Sequence, residues 1–363
     1  MARIFYSVMG EGRGHATRAR AIIEGLRVEH EVSVFTHGHA YDLLQPVFDD
    51  TNVELRSIPG LGWEYGGSKR VDYARTLMRG LRFLLRLPRH RTQLEKLIER
   101  EQPDLVVTDF EPLLPRAALR CGVPFLSLNH QHFLVVNDFS HLPGWLRRRA
   151  AAMVPFVKAF YSGQLQTIVS SFFAGRLLPG CDDVLQIGVL LRPELLAARP
   201  EHGSHLVAYI RRFATPRVMQ SLKACGREVR VYGMGEQPAD GNLVFRPISE
   251  RGFIEDLATC EALVSTAGNQ LVGEALFLGK PVFAMPEPDN FEQYINAHYL
   301  AGLGTGEWSE MQHVSPGRVK SFLGRVDELR GRIVRARFNG NIPALKAIRR
   351  QLGRIHNNRV VTA

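Results

Sequence analysis

Two residues at predicted strand ends have the chemistry of a general base. Arg3–Val8 has the pattern of a strand, and the glycine-rich turn after it leads to His15 at the predicted start of a helix. Leu105–Thr108 is a second buried strand, and it ends in Asp109. Because the carboxyl ends of parallel strands share one edge of a sheet, both side chains should lie at that edge. A neutral imidazole can take a proton from a hydroxyl, and a carboxylate that orients the ring makes it a stronger base.

Both residues also have ordinary structural alternatives. His15 could cap a helix or bond to the backbone, and Asp109 could cap the helix before Pro112. Three alternating glycines, of which Gly12 and Gly14 are the last two, resemble part of a dinucleotide fingerprint with unusual spacing. We include these two glycines among the predicted nucleotide-binding residues.

A turn in the second half of the chain is the predicted phosphate site. Ala262–Val264 has the pattern of a buried strand, and Ser265–Glu274 continues it as a small-residue turn and a helix. Gly268 permits a tight turn, and the first N–H groups of a helix can hold a phosphate at the positive end of its dipole. Glu274, within the helix, could bind the paired hydroxyls of a ribose. The alternative is an ordinary crossover in which Glu274 is solvated.

Further polar residues complete the predicted phosphate site. Thr266, Asn269 and Gln270 belong to the turn itself. Arg211 and Arg212 follow an earlier predicted strand and could supply a cation to a phosphate. The alternative for the two arginines is a solvated turn.

Strands and helices that must position these residues alternate along the chain. Predicted strands at 3–8, 31–36, 53–58, 105–109 and 125–128 are followed by a second series at 205–210, 229–232, 243–245, 262–265 and 281–285. This alternation predicts an α/β protein with parallel, doubly wound sheets. Pro193, Pro200 and Gly203 mark a boundary between the two series. We therefore predict domains at 1–190 and 191–340, and a C-terminal helix at 341–363 that could cross back to the first domain.

Composition and charge narrow the class of protein. The chain has 363 residues, of which 45% are apolar and 23% charged, as expected for about two globular domains. Four scattered cysteines, and an opening strand in place of a leader, predict a cytoplasmic protein with reduced thiols. No stretch approaches the roughly 20 apolar residues of a membrane-spanning helix. The net charge of +10 calls for an anionic partner.

Two basic amphipathic segments predict contact with an anionic membrane surface. Residues 69–91 place arginines on one helical face and leucines on another, and residues 145–157 combine Trp145 and Arg147–Arg149 with an apolar run. The protein would then be peripheral on the inner face of the cytoplasmic membrane. The alternative is a solvated charged face over a leucine core. Because no RNA-binding aromatic signature accompanies the charge, we expect no specific nucleic acid.

Several motifs together resemble a glycosyltransferase of the GT-B fold. The resemblance is to the lipid-II N-acetylglucosaminyltransferase and the related glucuronosyl- and glucosyltransferases, which use nucleotide sugars, and it covers almost the whole chain. It implies two Rossmann-like domains that face each other across a cleft. The motifs are Gly10–His15, residues 188–192, Arg246–Ile248, Ser265–Glu274, and Glu292-Gln293 with Asn296-Ala297.

The resemblance also implies a role for each motif. His15 is similar to the family's catalytic base, and Asp109 to the aspartate that pairs with that base. The second domain would bind the nucleotide sugar. The residues that match its contacts are Ile248 for uracil, Gly268 and Asn269 for the diphosphate, Glu274 for the ribose, and Glu292 and Gln293 for the donor sugar.

These roles predict an inverting transfer of a sugar from a UDP-sugar to a hydroxyl of a lipid-linked or small-molecule acceptor. We expect no metal and no cofactor, since the chain has no Asp-x-Asp sequence and the histidines at 130, 132 and 141 have no partner with metal-ligand spacing. Contacts to the acceptor, or plain loop chemistry, would explain those histidines. Two alternatives are a UDP-sugar 2-epimerase of the same architecture and a non-catalytic nucleotide-sugar or nucleic-acid binding protein.

Overall fold

The computed structural model describes residues 1–60, 73–160, 162–210 and 215–362, which form two parallel β-sheets with helices on their faces. The first sheet consists of β1 Arg3–Val8, β2 Glu31–Thr36, β3 Val53–Ser57, β4 Leu105–Asp109, β5 Phe125–Asn129, β6 Gln166–Ser170 and β7 Leu185–Ile187. The second consists of β8 Leu206–Tyr209, β9 Val229–Tyr232, β10 Leu243–Phe245, β11 Ala262–Ser265, β12 Val282–Ala284 and β13 Gly306–Trp308.

Helices connect most of the successive strands, and three more follow the last strand. Those of the first half are α1 Arg13–Leu26, α2 Gly38–Phe48, α3 Tyr73–Glu101, α4 Leu113–Arg120, α5 Phe133–Val136 and α6 Gly144–Phe160. Those of the second half are α7 Pro193–Ala197, α8 Pro216–Lys223, α9 Glu250–Thr259, α10 Asn269–Phe277, α11 Phe291–Leu303, α12 Pro316–Leu323, α13 Val326–Gly331 and α14 Asn341–Thr362. Short 3₁₀ turns lie at Met311–His313 and Arg335–Phe338.

The strand orders create a crevice at one edge of each sheet. The first sheet is ordered β3-β2-β1-β4-β5-β6-β7 and the second β10-β9-β8-β11-β12-β13. The chain winds outward in opposite directions from β1 and β4, and from β8 and β11. Ligands of open α/β sheets bind at such switch points, outside the carboxyl ends of the strands. In register, Val8 pairs with Asp109 in the first sheet and Ser265 with Tyr209 in the second.

Buried apolar runs explain the strands. All five residues of β4 and all five of β5 are buried, as expected for parallel strands covered by helices on both faces. In α1, Ala16, Ala19, Ile22, Ile23 and Leu26 recur at helical spacing and are buried. They pack into a core with Ile4, Tyr6 and Val8 of β1.

The chain crosses between the two sheets at a tight contact. Gly340 N donates to Val189 O at 2.9 Å, and Asn341 both accepts from Leu191 N and donates to Leu191 O. A Cβ at Gly340 would lie 2.1 Å from the oxygen of Gly188, so a side chain at Gly340 would force the two segments apart. Past this point α14 packs against α1 of the first sheet, where Ala344, Ala347 and Ile348 are buried.

The predicted α/β class with two doubly wound parallel sheets is confirmed. Strands β6, β7 and β13 were not among the predicted strands. These strands are only three to five residues long, and their apolar pattern is correspondingly short.

The structure describes only part of the first basic segment and all of the second. Residues 69–72 of the first lie outside the described residues, and from Tyr73 that segment belongs to α3. The second falls within α6. Across the described ranges, we find no helix with the length and apolar character needed to cross a bilayer.

Candidate active site

A cleft of about 490 Å³ lies between the two sheets. This volume is in the range of small-molecule sites, about 300–1,000 Å³. Most of the predicted site residues line it from one side or the other. They are Gly14 and His15 from the first half, and Ile248, Thr266, Gly268, Asn269, Gln270, Glu274, Glu292 and Gln293 from the second.

The remaining predicted site residues are Asp109, Gly12, Arg211 and Arg212. Asp109 is fully buried behind His15. Gly12 caps the start of α1 with φ 84°, a left-handed value that favours glycine, and it is an exposed residue next to the cleft-lining Arg13. Arg211 and Arg212 lie outside the described residues.

His15 and Asp109 are in direct contact, as the shared sheet edge predicts. Nδ1 of His15 lies 3.0 Å from Oδ1 of Asp109. In the tautomer in which Nδ1 donates to the carboxylate, Nε2 carries the lone pair of a base. The His15 side chain is only 12% exposed, at the cleft. This pair can therefore accept a proton from a hydroxyl that enters the cleft.

Arg18 is a third member of this cluster that sequence analysis missed. Its Nε lies 3.1 Å from Asp109 Oδ2 and its Nη2 lies 2.8 Å from Asp109 Oδ1, a bidentate pair. The same Nη2 lies 2.8 Å from Nδ1 of His15. The available signal was spacing, because residues three apart on a helix share a face.

Burial and charge set the protonation states of the cluster. Burial lowers the pKa of His15; Asp109 opposes that shift and Arg18 adds to it, so the pKa stays below its usual 6.5. Burial alone would raise the pKa of Asp109, but Arg18 and His15 hold it below its ordinary value. At neutral pH the site therefore contains an ionised aspartate and a neutral imidazole.

The turn after β11 has the predicted position but a different geometry. Sequence analysis attributed the tight turn to Gly268, whose φ of −67° is ordinary for any residue. The left-handed residue is Ala267, with φ 64°. Asn296 Nδ2 donates to Ala267 O at 2.9 Å and helps to hold this conformation. At Gly268 a Cβ would meet no atom within 4 Å, so the missing side chain leaves open space above the start of α10.

Asn269 connects the phosphate turn to the first sheet. Its Oδ1 accepts from Ser171 Oγ at 3.0 Å and from Phe172 N at 3.1 Å, and its Nδ2 donates to Ser170 O at 3.3 Å. The Asn269 side chain, which was predicted to contact a diphosphate, therefore makes its hydrogen bonds to the other domain. The backbone amides at the start of α10 remain the groups suited to an anion, because the first N–H groups of a helix have no intrahelical partner.

Glu274 is buried in the cleft and paired on both oxygens. Arg192 Nη2 lies 3.2 Å from Oε2, and Gln270 Nε2 donates to Oε1 at 3.0 Å. Glu274 is only 3% exposed, which excludes the alternative of a solvated carboxylate. Arg192 also reaches Glu250 at 2.9 Å, so the ion pairs continue along the cleft wall.

An aromatic wall stands beside Ile248. Phe253 packs edge-to-face against Tyr209 and Tyr232, with ring centroids 5.7 and 4.9 Å apart. All four residues line the cleft, and Ile248 is 54% exposed there. The tyrosines belong to β8 and β9, where their hydrophobicity fits a strand, so nothing in the pattern marks them as site residues.

On the remaining wall of the cleft, the predicted donor-sugar residue Glu292 lies close to a histidine of the other domain. Nε2 of His130 lies 3.6 Å from Oε1 of Glu292. Nδ1 of His130 lies 3.1 Å from the carbonyl oxygen of Ser170, which can only accept, so Nδ1 holds the hydrogen and Nε2 the lone pair. Gln293 accepts from Glu287 N at 2.7 Å through its side-chain oxygen.

The Nε2 atom of His130 is an open acceptor. His130 is 1% exposed, and within the described ranges Nε2 has no hydrogen-bond partner. Burial, with Arg18 adding to it, lowers the pKa of His130 to about 3, so the ring is neutral. Burial raises the pKa of Glu292, although Arg18 opposes that shift. A buried acceptor that faces a cleft is suited to a ligand hydroxyl.

The histidine-rich loop does not assemble a metal centre. Among the residues that the structure describes, no group of three or more histidines, cysteines or carboxylates has metal-binding geometry. His132 instead bonds back to Ser127 and Asn129 of β5. His141 packs edge-to-face against Tyr299.

Two parallel-sheet domains on either side of a cleft are the architecture of the GT-B fold. The chain belongs to glycosyl transferase family 1, whose sequence model matches residues 2–327. Two curated relatives carry the name glycosyltransferase. The protein from Methanosarcina acetivorans is 23% identical over 84% of each chain, and the protein from Methanosarcina mazei is 21% identical over the same shares.

Solved structures share the fold. UGT2 of Phytolacca americana, complexed with UDP-2fluoro-glucose and pterostilbene, has a TM-score of 0.70 at 15% identity and covers 97% of this chain and 100% of its own. MurG of Acinetobacter baumannii has a TM-score of 0.64 at 16% identity and covers 96% and 100%. CalG4, the calicheamicin glycosyltransferase, has a TM-score of 0.63 at 18% identity and covers 98% and 99%.

Proposed function

We propose that the protein transfers a sugar from a UDP-sugar to a hydroxyl of an acceptor, with inversion at the anomeric carbon and without a metal ion. The observation that carries this proposal is the placement of His15–Asp109 and the start of α10 on the same cleft, from different domains. One group can activate an acceptor, and the other can hold a leaving group.

The proposed reaction is a single displacement. The acceptor oxygen forms a bond to the anomeric carbon while the bond from that carbon to the diphosphate breaks. Nε2 of His15 takes the acceptor's proton, and Asp109 stabilises the imidazolium that forms. The backbone amides at the start of α10 stabilise the charge on the departing UDP. Attack opposite to the leaving group inverts the configuration.

Uracil is the proposed base of the donor nucleotide. Glu274 is a buried carboxylate suited to a ribose diol, and Ile248 is exposed in the cleft that the aromatic wall of Tyr209, Tyr232 and Phe253 also lines. The structure of Phytolacca americana UGT2 contains UDP-2fluoro-glucose, which makes UDP a reasonable first choice for a chain of this fold. Glu292, Gln293 and the open acceptor of His130 would then contact the sugar.

A screen of nucleotide sugars tests the donor. UDP-glucose, UDP-N-acetylglucosamine and UDP-glucuronic acid should raise the melting temperature, and GDP- and ADP-sugars should raise it less. Incubation with the best donor and an acceptor panel should release UDP in the presence of EDTA, and NMR of the product should show the inverted anomer. Retention of configuration, or loss of activity with EDTA, would refute the mechanism. Conversion of the donor alone to a 2-epimer would favour the epimerase alternative.

We propose that α6 contacts an anionic membrane surface that carries a lipid-linked acceptor. Its side chains at Arg147, Arg148 and Arg149 are exposed, and Phe156 is 48% exposed. Trp145 is 42% exposed, but it also packs edge-to-face on Tyr294 of the second domain. Arginines beside exposed aromatic groups suit a headgroup surface.

Vesicle sedimentation tests this membrane contact. The protein should bind vesicles of 30% phosphatidylserine in phosphatidylcholine at about 50 mM salt and dissociate as the salt rises. A triple change of Arg147, Arg148 and Arg149 to Gln should abolish binding. The matched control removes three exposed cations of the second domain: Arg318, Lys320 and Arg332. Equal loss of binding in both variants, or no binding by the wild type, would reject a role for α6.

A further inference from the structure

We propose that Arg18 is a positioning residue that acts on His15 both by holding Asp109 and by its own charge beside the ring, which makes the proton-accepting unit a His–Asp–Arg cluster rather than a pair. The inference rests on the proposed function, since it assumes that His15 is the base. Its geometric basis is the bidentate contact of Arg18 with Asp109 and the approach of the same guanidinium to Nδ1 of His15.

Burial gives the contact its strength. Asp109 is 0% exposed and Arg18 is 4% exposed, so water screens neither charge effectively. An ionised carboxylate at this depth needs a partner, because an unpaired buried charge is very costly. The two hydrogen bonds from Arg18 also fix the plane of the carboxylate. They leave Oδ1 aimed at Nδ1 of His15, which sets the ring orientation.

Arg18 also limits what Asp109 does to the imidazole. Burial lowers the pKa of His15, and Asp109 opposes that shift because it favours the charged ring. The guanidinium of Arg18 counteracts Asp109 and so adds to the effect of burial. The carboxylate is still present to stabilise the imidazolium as the proton arrives. Arg18 thus helps to keep His15 neutral before the reaction, while Asp109 stabilises the imidazolium in the transition state.

Other polar groups around His15 come from several elements. Tyr6 on β1 lies under the cluster, and burial followed by the charge of Asp109 raises its pKa well above 10.0, so it stays neutral. His130, after β5, is neutral as well. Glu292 on α11 interacts electrostatically with Arg18. The charged groups that act directly on His15 are therefore Asp109 and Arg18.

Histidine NMR on the ligand-free protein tests the proposal without an assay. With histidines labelled at Cε1, His15 is assigned from a His15→Gln spectrum, and its titration is compared among wild type, Arg18→Gln and Arg18→Lys. The midpoint for His15 should lie below 6.5 in wild type, rise in Arg18→Gln, and return part of the way in Arg18→Lys. Arg27→Gln removes a charge from the far end of the same helix, where Arg27 pairs with Glu24, and should change nothing. An unchanged or lowered midpoint in Arg18→Gln overturns the proposal.

A second pair of variants covers the case in which Arg18→Gln does not fold. Asp109→Asn removes the buried anion, so Arg18 can then be removed without leaving a charge behind. The His15 midpoint should be higher in Arg18→Gln/Asp109→Asn than in Asp109→Asn alone, and equal midpoints would reject the role of Arg18. Once a donor is known, Arg18→Gln should lose at least ~10-fold of the about 10²–10⁴-fold that a positioned base contributes to kcat. A shifted midpoint with unchanged kcat would reject His15 as the base and leave the electrostatic coupling intact.

Discussion

Arg192 Nη2 lies 3.2 Å from Glu274 Oε2, so the carboxylate proposed to bind a ribose is already ion-paired in the cleft. Gln270 holds its other oxygen at 3.0 Å. These contacts orient the buried carboxylate before a nucleotide arrives. A ribose diol must then share the carboxylate with Arg192 or displace it. The sequence placed Glu274 correctly on its helix but carried no sign of this partner, which comes from the segment between the domains.

The ribose role of Glu274 can be measured by a thermodynamic cycle. A hydrogen bond to a charged group contributes about 1.5–3 kcal/mol, so wild type should bind UDP at least ~10-fold more tightly than 2′-deoxy-UDP. In Glu274→Gln this ratio should fall toward unity, as measured by isothermal titration calorimetry. Arg192 keeps Glu250 as a partner in that variant, which supports a folded cleft. Glu255→Gln, on an exposed face of α9, is the control. A ratio that survives in Glu274→Gln would contradict the assignment.

Removing His15 should separate chemistry from binding. His15→Gln should lower kcat by about 10²–10⁴-fold, the usual contribution of a general base. The Kd for UDP should change little, because the groups proposed to bind UDP belong to the other domain. His313→Gln changes an exposed histidine paired with Glu310 and serves as control. Turnover at the wild-type rate in His15→Gln would exclude this residue as the base.

The pH dependence of turnover follows from the protonation of His15. Burial, with Arg18 opposing Asp109, lowers its pKa from 6.5. The base must be neutral to act, so kcat/KM should rise with pH along an acidic limb whose midpoint lies below 6.5, and then level off. The profile should be measured with saturating donor and limiting acceptor. An acidic limb centred above 6.5 would mean that Asp109 raises the pKa of His15 by more than burial and Arg18 together lower it.

Most elements of this fold were predictable because they carry their signal locally, and the short strands β6, β7 and β13 were the exceptions. Buried runs such as Leu105–Asp109 mark strands, and the topology of parallel sheets brings their carboxyl ends together. This is why the sequence alone was sufficient to pair His15 with Asp109. The exact conformation of the phosphate turn could not be predicted in this way. Ala267 adopts a left-handed φ that alanine rarely takes, and Asn296, far along the chain, helps to hold it there.

Interdomain contacts were the least accessible to sequence analysis. Asn269 has the right position for a diphosphate-binding turn, but its side chain bonds to Ser171 and Phe172 of the first domain. His130 was noted only within a histidine-rich loop, and its approach to Glu292 depends on how the two domains are placed. No periodic pattern encodes such placement, because periodicity indicates only which face of a single helix or strand is buried.

His130 should matter for the sugar and not for the nucleotide. Its buried Nε2 is an acceptor that lies in the cleft beside Glu292. If Nε2 accepts a hydrogen bond from a sugar hydroxyl, removal of this atom removes the hydrogen bond. His130→Leu should therefore weaken binding of the best UDP-sugar by about 10-fold or more while leaving the Kd of UDP nearly unchanged. His141→Leu, which changes a largely exposed histidine, is the control. Equal weakening of UDP and UDP-sugar would point to a folding defect instead.

Glu111 should make stability depend on pH near neutrality. It is fully buried at the start of α4, where its oxygens accept from Leu113 N at 2.7 Å and Leu114 N at 2.9 Å. Burial raises its pKa from 4.5 to about 7, despite these hydrogen bonds. The folded protein therefore retains this proton over a range in which the unfolded chain loses it. The resulting stabilisation is complete below 4.5 and is lost as pH rises to about 7.

The loss can be isolated with Glu111→Gln, which does not titrate. Chemical unfolding of both proteins from about pH 4.5 to 8 should show the wild type losing stability relative to the variant as pH rises, by up to about 3 kcal/mol. Replacement of the exposed Glu236 by Gln should leave the wild-type pH dependence intact, since that carboxylate is solvated in both states. The difference between wild type and Glu111→Gln should level off above about pH 7, where the carboxyl is ionised in both folded and unfolded protein. If the two curves run parallel throughout, Glu111 keeps an ordinary pKa in the folded protein, and the amides of α4 fully offset its burial.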